Sequence, residues 1–280
     1  MIPAEFDYVV PESLDEAIRA LSEGGEDAKL LAGGHSLIPL MKMRLAAPTL
    51  LIDLRKVPGL AGVARENGTI SIGAMTTHAT LQDATELGLV SKVAHGIADQ
   101  QVRNRGTLGG SLAHGDPASD QPAVMLATEA TLTATGPGGE RRIAAADLFE
   151  DYLTTSLAAD EVVTSIDVPA LEGYGFAYEK FNRRAEDWAM VGVCVLVKDD
   201  GGTCGDVRVG LTHMSSTPLR ATAVEEALRG QPLTAESIAA AAEQAAEGTD
   251  PPPDLNATGE YKRHLARVLT KRALTQAAGL

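Results

Sequence analysis

The chain has 280 residues, 44% hydrophobic and 22% charged, with a formal net charge of −14 and a pI of about 4.8. That length suggests two domains and that composition supports a buried core. The acidity excludes the basic footprint of a nucleic-acid binder, and no apolar run reaches the roughly 18 residues of a membrane span. "MIPAEFDYVVPESLDEA" has no basic region followed by an apolar stretch, so it reads as lacking a signal peptide and the chain as cytoplasmic. The two cysteines, Cys194 and Cys204, are too few for a disulfide framework or a four-Cys iron–sulfur cluster.

In chain order, "FDYVV" is expected as a short strand. "SLDEAIRALSE" is expected as a helix, with Ser13 and Glu16 at capping-box spacing. A second strand covers Lys29 to Ala32, a helix starts at Ser36 and runs to about Met43, and "TLLIDL" is a buried strand. "GVARENGTISIG" is a hairpin turning at Asn67-Gly68, the strongest short turn signal. Thr77 caps a helix to about Ala84, and another helix runs to about Ala98. A second glycine loop, "TLGGS", precedes a short helix at Gln121 to Ala127; "ATLTATGPGGERRIAA" is a hairpin and "EVVTSIDVP" a strand. After Pro169 come three strand-like segments, "YGFAYEKF", "MVGVCVLVK" and "DVRVGLTHM". Helical segments then cover Thr222 to Arg229, Thr234 to Glu247 and Gly259 to Ala277. Strands followed by helices suggest a separate α+β domain. "YKRHLARVLTKRAL" in the last helix has a basic face, read as solvated or as docking on an acidic partner.

Two segments carry chemistry. In "AGGHSL", Gly33, Gly34, His35 and Ser36 present successive N–H groups just before a helix, a concave anion nest. "TLGGS", Thr107 to Ser111, offers the same donors with a hydroxyl at each end. Bonds to charged groups contribute roughly 1.5–3 kcal/mol each, so a handful supplies much of the about 12 kcal/mol of nanomolar binding. Each Gly-Gly taken alone reads better as a simple turn; two in one domain, each followed by Ser and an apolar run, bring the two readings level. Neither G-x-G-x-x-G after a strand nor G-x-x-x-x-G-K-[ST] is present, so a diphosphate here is held by neither a Rossmann nor a P-loop fold.

"AGGHSLIPLMKMRLAAPTLLIDL" and "RNRGTLGGSLAHGDPASDQPAVMLA" closely resemble the two FAD-binding motifs of the molybdenum hydroxylase flavoprotein subunits. This is the family of the carbon monoxide dehydrogenase medium subunit and the xanthine dehydrogenase flavin domain. The resemblance extends through "YEKFNRRAEDWAMVGV" and covers essentially the whole chain. It implies an α+β fold: a two-part PCMH-type (vanillyl-alcohol-oxidase-like) FAD-binding domain over 1–170, with subdomains of about 1–55 and 56–170. A small α+β domain with a three-stranded antiparallel sheet and a helical bundle follows over 171–280.

The resemblance also implies a site. Lys29, Leu30, Leu31, Ala32, Gly33, Gly34, His35 and Ser36 wrap the FAD diphosphate, and Thr107, Leu108, Gly109, Gly110 and Ser111 contact diphosphate and ribitol. Asp120 matches the ribitol-binding acid, with helix capping as its plain alternative; Asp116 matches a loop-fixing residue. Lys180 matches a lysine beside the flavin ring, against a surface strand lysine. Trp188, the single tryptophan, is at an aromatic position near the ring but reads better as a core or interface residue. Leu157 packs on the cofactor or in the core. No catalytic residue and no metal ligand is assigned, because the six histidines lack ligand spacing.

The implied function is an FAD-binding electron-transfer subunit and oxidoreductase component. It takes electrons from [2Fe–2S] clusters on a small subunit, with the molybdenum cofactor on a large subunit, in a dimer of heterotrimers. A self-contained flavin oxidase or reductase is the alternative, but 171–280 is small and generic for a substrate-shaping domain. A module that has lost flavin is disfavoured by the intact glycines. The substrate is chosen on another chain.

Overall fold

The computed structural model describes residues 2–280. Its first part is a three-stranded parallel sheet with a helix on each face. The elements are β1 (Asp7–Val9), α1 (Leu14–Gly24), β2 (Ala28–Leu31), α2 (Leu37–Met43) and β3 (Leu50–Asp53), with sheet order β1-β3-β2. α1 lays Ala17, Ile18 and Leu21 on Ile52 and Leu54; on the other face Met41 of α2 packs with Leu31 and Leu51. A parallel sheet covered on both faces explains the apolar run Leu50 to Ile52 of β3. Ser13 caps α1 by accepting from the Glu16 N–H, but the Glu16 carboxylate accepts from the N–H of Glu12 instead of Ser13. The expected capping box is therefore displaced by one residue.

The second part contains β4 (Val63–Glu66), β5 (Thr69–Gly73), α3 (His78–Asp83), α4 (Leu89–His95), α5 (Gln100–Arg103), α6 (Leu108–His114) and α7 (Asp120–Thr128). It continues with β6 (Thr131–Gly136), β7 (Gly139–Ala144), β8 (Phe149–Asp151), β9 (Thr154–Thr155) and β10 (Val162–Pro169). The antiparallel sheet runs β4-β5-β10-β6-β7, so β10 returns between the two hairpins. Asn67 (φ 48°) and Gly68 (φ 79°) both take positive φ, as a twist-matched two-residue turn requires. Thr77 caps α3 by accepting from the Thr80 N–H. The segment read as a second glycine loop is instead the first turn of α6, capped by Thr107.

The third part has β11 (Tyr174–Phe181), β12 (Val191–Asp199), β13 (Cys204–Thr212), β14 (Leu219–Arg220), α8 (Thr222–Leu228), α9 (Ala235–Ala242) and α10 (Gly259–Ala277). The three expected strands pair antiparallel in chain order, and the two-residue β14 adds an edge. Both cysteines are free and buried. In β12 the alternate residues Val191, Val193, Val195 and Val197 pack under α8–α10, while Cys194 and Leu196 join the core of the five-stranded sheet. α7 lies between those layers, and all nine of its residues are buried. No helix of the described residues is long and apolar enough to cross a membrane.

Gly210 permits this close approach: a Cβ there would sit 2.4 Å from the Ala123 carbonyl oxygen and 2.6 Å from Cys194 Sγ. Gly210→Ala is expected to destabilise the chain by about 1–3 kcal/mol through overpacking, read from the urea midpoint. An unchanged midpoint would show that α7 can shift freely.

Candidate functional site

A cavity of about 620 Å³ lies where the parallel sheet, the five-stranded sheet and β11 meet, within the usual range for ligand sites. The turn after β2 forms one wall. Gly34 takes φ +78°, and a Cβ at Gly33 would fall 2.2 Å from the Arg105 carbonyl oxygen. Only glycine lets this turn touch the backbone ahead of α6. Among the described residues the N–H groups of Gly33, Gly34, His35 and Ser36 donate to no protein acceptor. Ser36 sits at the N-cap of α2 without a side-chain capping bond, so its hydroxyl is also free.

The "TLGGS" segment does something else. Leu108 N–H donates to the Thr76 carbonyl (3.0 Å) and Gly109 N–H to the Ala74 carbonyl (2.8 Å). Gly110 N–H goes to Thr107 Oγ1 (3.2 Å) and Ser111 N–H to the Thr107 carbonyl (3.0 Å). The expectation of a second nest is thus corrected: these amides are already bonded. The glycines here serve close packing. A Cβ at Gly109 would meet Ala74 at 2.5 Å, and one at Gly110 would approach Ala32 at 3.4 Å.

Deeper in, Lys180 and Asp120 form a buried ion pair, Nζ to Oδ2 2.9 Å, with side chains 10% and 4% exposed. The Tyr178 hydroxyl donates to the other carboxylate oxygen of Asp120. Burial raises the Asp120 carboxyl above its ordinary range, opposed by the Lys180 charge and the Tyr178 bond. Asp120 is the first residue of α7, with Ser119 at the N-cap, so it is not the cap. Lys180 is not a surface lysine. Asp116 fixes its own loop by accepting from the Ala118 N–H at 2.8 Å.

At the rim, Trp188 is 54% exposed yet lines the cavity, so of the two plain readings, core or interface, burial in the core is the one that fails. Leu157 lines the cavity and also packs against the central core, combining its two readings. Of the residues expected at the site, all line the cavity except Leu31 and Leu108. Those two side chains point into hydrophobic clusters instead, because alternate residues of β2 and the buried side of α6 face the core.

Three neighbours were not singled out from sequence. Tyr178 is two residues before Lys180 on β11, so strand alternation puts both on one face; that signal was available. His78 lines the cavity, buried, with burial pushing its imidazole down to about 4; one histidine in a linear sequence gives no such sign. Glu161, also at the cavity, takes two bonds from Arg141 (2.6 and 2.8 Å) and one from the Ala158 N–H (2.7 Å). It thereby closes the loop that carries Leu157. The Arg141 bonds hold its carboxyl below the ordinary value of 4.5, against burial. The stability it contributes is present above the unfolded pKa and is lost as pH falls through the folded one. Glu161→Gln is expected to flatten that acid limb by about 1 kcal/mol, measured by urea denaturation across acidic pH. An identical pH profile would refute it.

A family model described as the FAD binding domain in molybdopterin dehydrogenase matches residues 4–171. One described as the CO dehydrogenase flavoprotein C-terminal domain matches residues 176–277. The chain is 43% identical over 282 residues to the carbon monoxide dehydrogenase medium chain of Hydrogenophaga pseudoflava, covering 99% of this chain and 98% of that one. It is 40% identical over 283 residues to the 6-hydroxypseudooxynicotine dehydrogenase complex subunit alpha of Paenarthrobacter nicotinovorans, covering 99% and 96%. A solved structure of the Hydrogenophaga pseudoflava carbon monoxide dehydrogenase, lacking the Mo-pyranopterin moiety of its molybdenum cofactor, superposes with a TM-score of 0.97 at 44% identity, over 100% of this chain and 99% of that one. The resemblance carried by the two glycine motifs thus extends over both halves of the chain, which belongs to the family of FAD-binding subunits of the molybdopterin dehydrogenases.

Proposed function

We propose that the cavity holds FAD, with the free amides of Gly33, Gly34, His35 and Ser36 on the diphosphate. Lys29, Leu30 and Ala32 would flank it, with Thr107, Gly109, Gly110 and Ser111 forming the opposite wall. Asp120 accepts from a ribityl hydroxyl, and Lys180 places its cation beside the flavin ring. Leu157 and Trp188 cover apolar faces. The unpartnered row of amides carries this reading, because buried or ligand-facing N–H groups need an acceptor. When bound, FAD supplies exchange between two-electron and one-electron chemistry. The protein's part is to bind and orient it, and to keep a charged Lys180 at a fixed place through Asp120 and Tyr178.

The chain is the FAD-carrying electron-transfer subunit of a heteromeric molybdenum hydroxylase, an oxidoreductase component. Under this reading electrons arrive from [2Fe–2S] clusters on a small partner subunit, and a large subunit carries the molybdenum cofactor. They leave to an external acceptor, and the assembly is a cytoplasmic dimer of heterotrimers. The chain divides near residue 170 into the flavin domain, 1–170, and the C-terminal domain, 171–280. Relatives named for carbon monoxide and for 6-hydroxypseudooxynicotine are almost equally similar to it, which fits a substrate pocket on another subunit.

The test is an absorption spectrum of the chain, alone and co-expressed with its two partner subunits, before and after adding FAD and dialysing. Retained bands of oxidised flavin at one per chain are expected. Absence of flavin from both preparations would refute the reading.

A further inference from the structure

Among the described residues Lys262 is the largest fully buried side chain, at 0% exposure. The basic face expected on the last helix therefore turns one of its charges inward. A buried lysine needs partners for its charge, and Lys262 Nζ has three: Asp254 Oδ2 at 2.8 Å, the Pro252 carbonyl at 2.7 Å and His213 Nε2 at 3.2 Å. An ammonium only donates. His213 Nε2 must then be the acceptor, and the imidazole proton lies on Nδ1. That Nδ1–H donates to the Ala189 carbonyl at 2.9 Å. The backbone N–H of His213 donates to the Pro117 carbonyl at 2.8 Å, and the residue takes φ +62°, a conformation that non-glycine residues rarely hold without support. Burial pushes the imidazole below its ordinary value, in keeping with a neutral ring.

The two tethered segments are both cavity walls. Ala189 follows Trp188, and Pro117 precedes Ser119 and Asp120. On the Trp188 side, the Asp187 N–H donates to the Arg184 carbonyl, and the Met190 N–H, in the same peptide as the Ala189 carbonyl, donates to the Phe181 carbonyl; the His213 bond is the second anchor of that peptide, on the residue next to Trp188.

We propose that Lys262 and His213 are positioning residues: the ammonium sets the imidazole tautomer, and the imidazole holds Trp188 in place at the cavity mouth. That this mouth is a flavin site rests on the reading above; the tether itself does not. Trp188 is the single tryptophan of the chain, so its fluorescence reports on this segment in the full chain without cofactor.

Steady-state anisotropy and acrylamide quenching of Trp188 should be measured in the wild type and in His213→Phe, His213→Asn and Lys262→Met, with circular dichroism as a folding control. In the wild type Trp188 is expected to be restrained. His213→Phe and Lys262→Met should raise the quenching constant by about twofold. His213→Asn should stay close to wild type, because its amide keeps a donor at the Nδ1 position and asparagine tolerates positive φ. Folded His213→Phe or Lys262→Met with unchanged quenching would overturn the proposal, and either variant suffices if the other fails to fold. A freely rotating Trp188 in the wild type would overturn it without any variant. Adding FAD then separates the two ideas: quenching of wild-type emission supports the flavin reading. Its absence counts against that reading and leaves the tether result standing.

Discussion

Gly33→Val is expected to lower FAD affinity by at least about 100-fold while leaving the far-ultraviolet circular dichroism of the chain unchanged. The substituent would begin 2.2 Å from the Arg105 carbonyl oxygen and 2.7 Å from Gly106 Cα. Both obstacles are backbone, so neither can rotate away. The turn after β2 must move outward, and its four free amides leave their places on the cavity wall. Each bond to a charged oxygen contributes roughly 1.5–3 kcal/mol, so misplacing two of them is enough for the stated loss. Gly138→Ala is the matched control: no atom lies within 4 Å of its added methyl and its φ is ordinary. Titration followed by flavin fluorescence measures both. Equal affinity for Gly33→Val and wild type would remove the first turn from the binding site.

Lys180→Met should produce the largest loss of stability, about 3–5 kcal/mol near neutral pH, because it leaves the buried Asp120 carboxylate without its cation. The pH dependence follows from the direction of the Asp120 shift. Its folded pKa is raised above the ordinary 3.8 by burial. As pH climbs past the unfolded value, the unfolded chain releases this proton first, so stability falls through the window up to the folded pKa. Removing Lys180 takes away the main opposing charge and extends that window upward. The variant should therefore be closest to wild type in mild acid and weakest above neutrality. Adding Asp120→Asn should restore most of the loss, since no charge then remains buried. Urea denaturation of the two single variants and the double variant at several pH values completes the cycle. A double variant destabilised by the sum of the two single effects would show that the pair carries no coupling. In flavin-loaded protein, Lys180→Met should also lower the reduction potential, as expected when a cation beside a reduced, anionic ring is lost.

Local rules made much of the fold legible. The Asn67-Gly68 turn, the alternation of β5 and β10, and the apolar run of β12 up to Val197 all appear where the local pattern put them. Short elements were not legible: α5 has four residues and β8 and β9 only three and two, too few to show a period. The two Gly-Gly segments looked chemically equal, yet only the first keeps its amides free. The second loses two of them locally to Thr107 and those of Leu108 and Gly109 to the Thr76 and Ala74 carbonyls, more than thirty positions away, beside a bridge between Thr77 and Thr107. No local pattern encodes that pairing.

The sequence by itself therefore determined the family, the flavin chemistry it implies and the turn of glycines that only a close ligand or backbone demands. Glycine pairs, caps and hydrophobic periods are local constraints on φ, ψ and burial, and they survive without neighbours. The tertiary structure alone decided which donors stay free, that Lys180 is buried against Asp120 rather than solvated, and that Lys262 turns inward to His213. Those outcomes depend on desolvation and on partners brought together from distant segments, and a charge in a linear sequence carries no record of the dielectric it will meet.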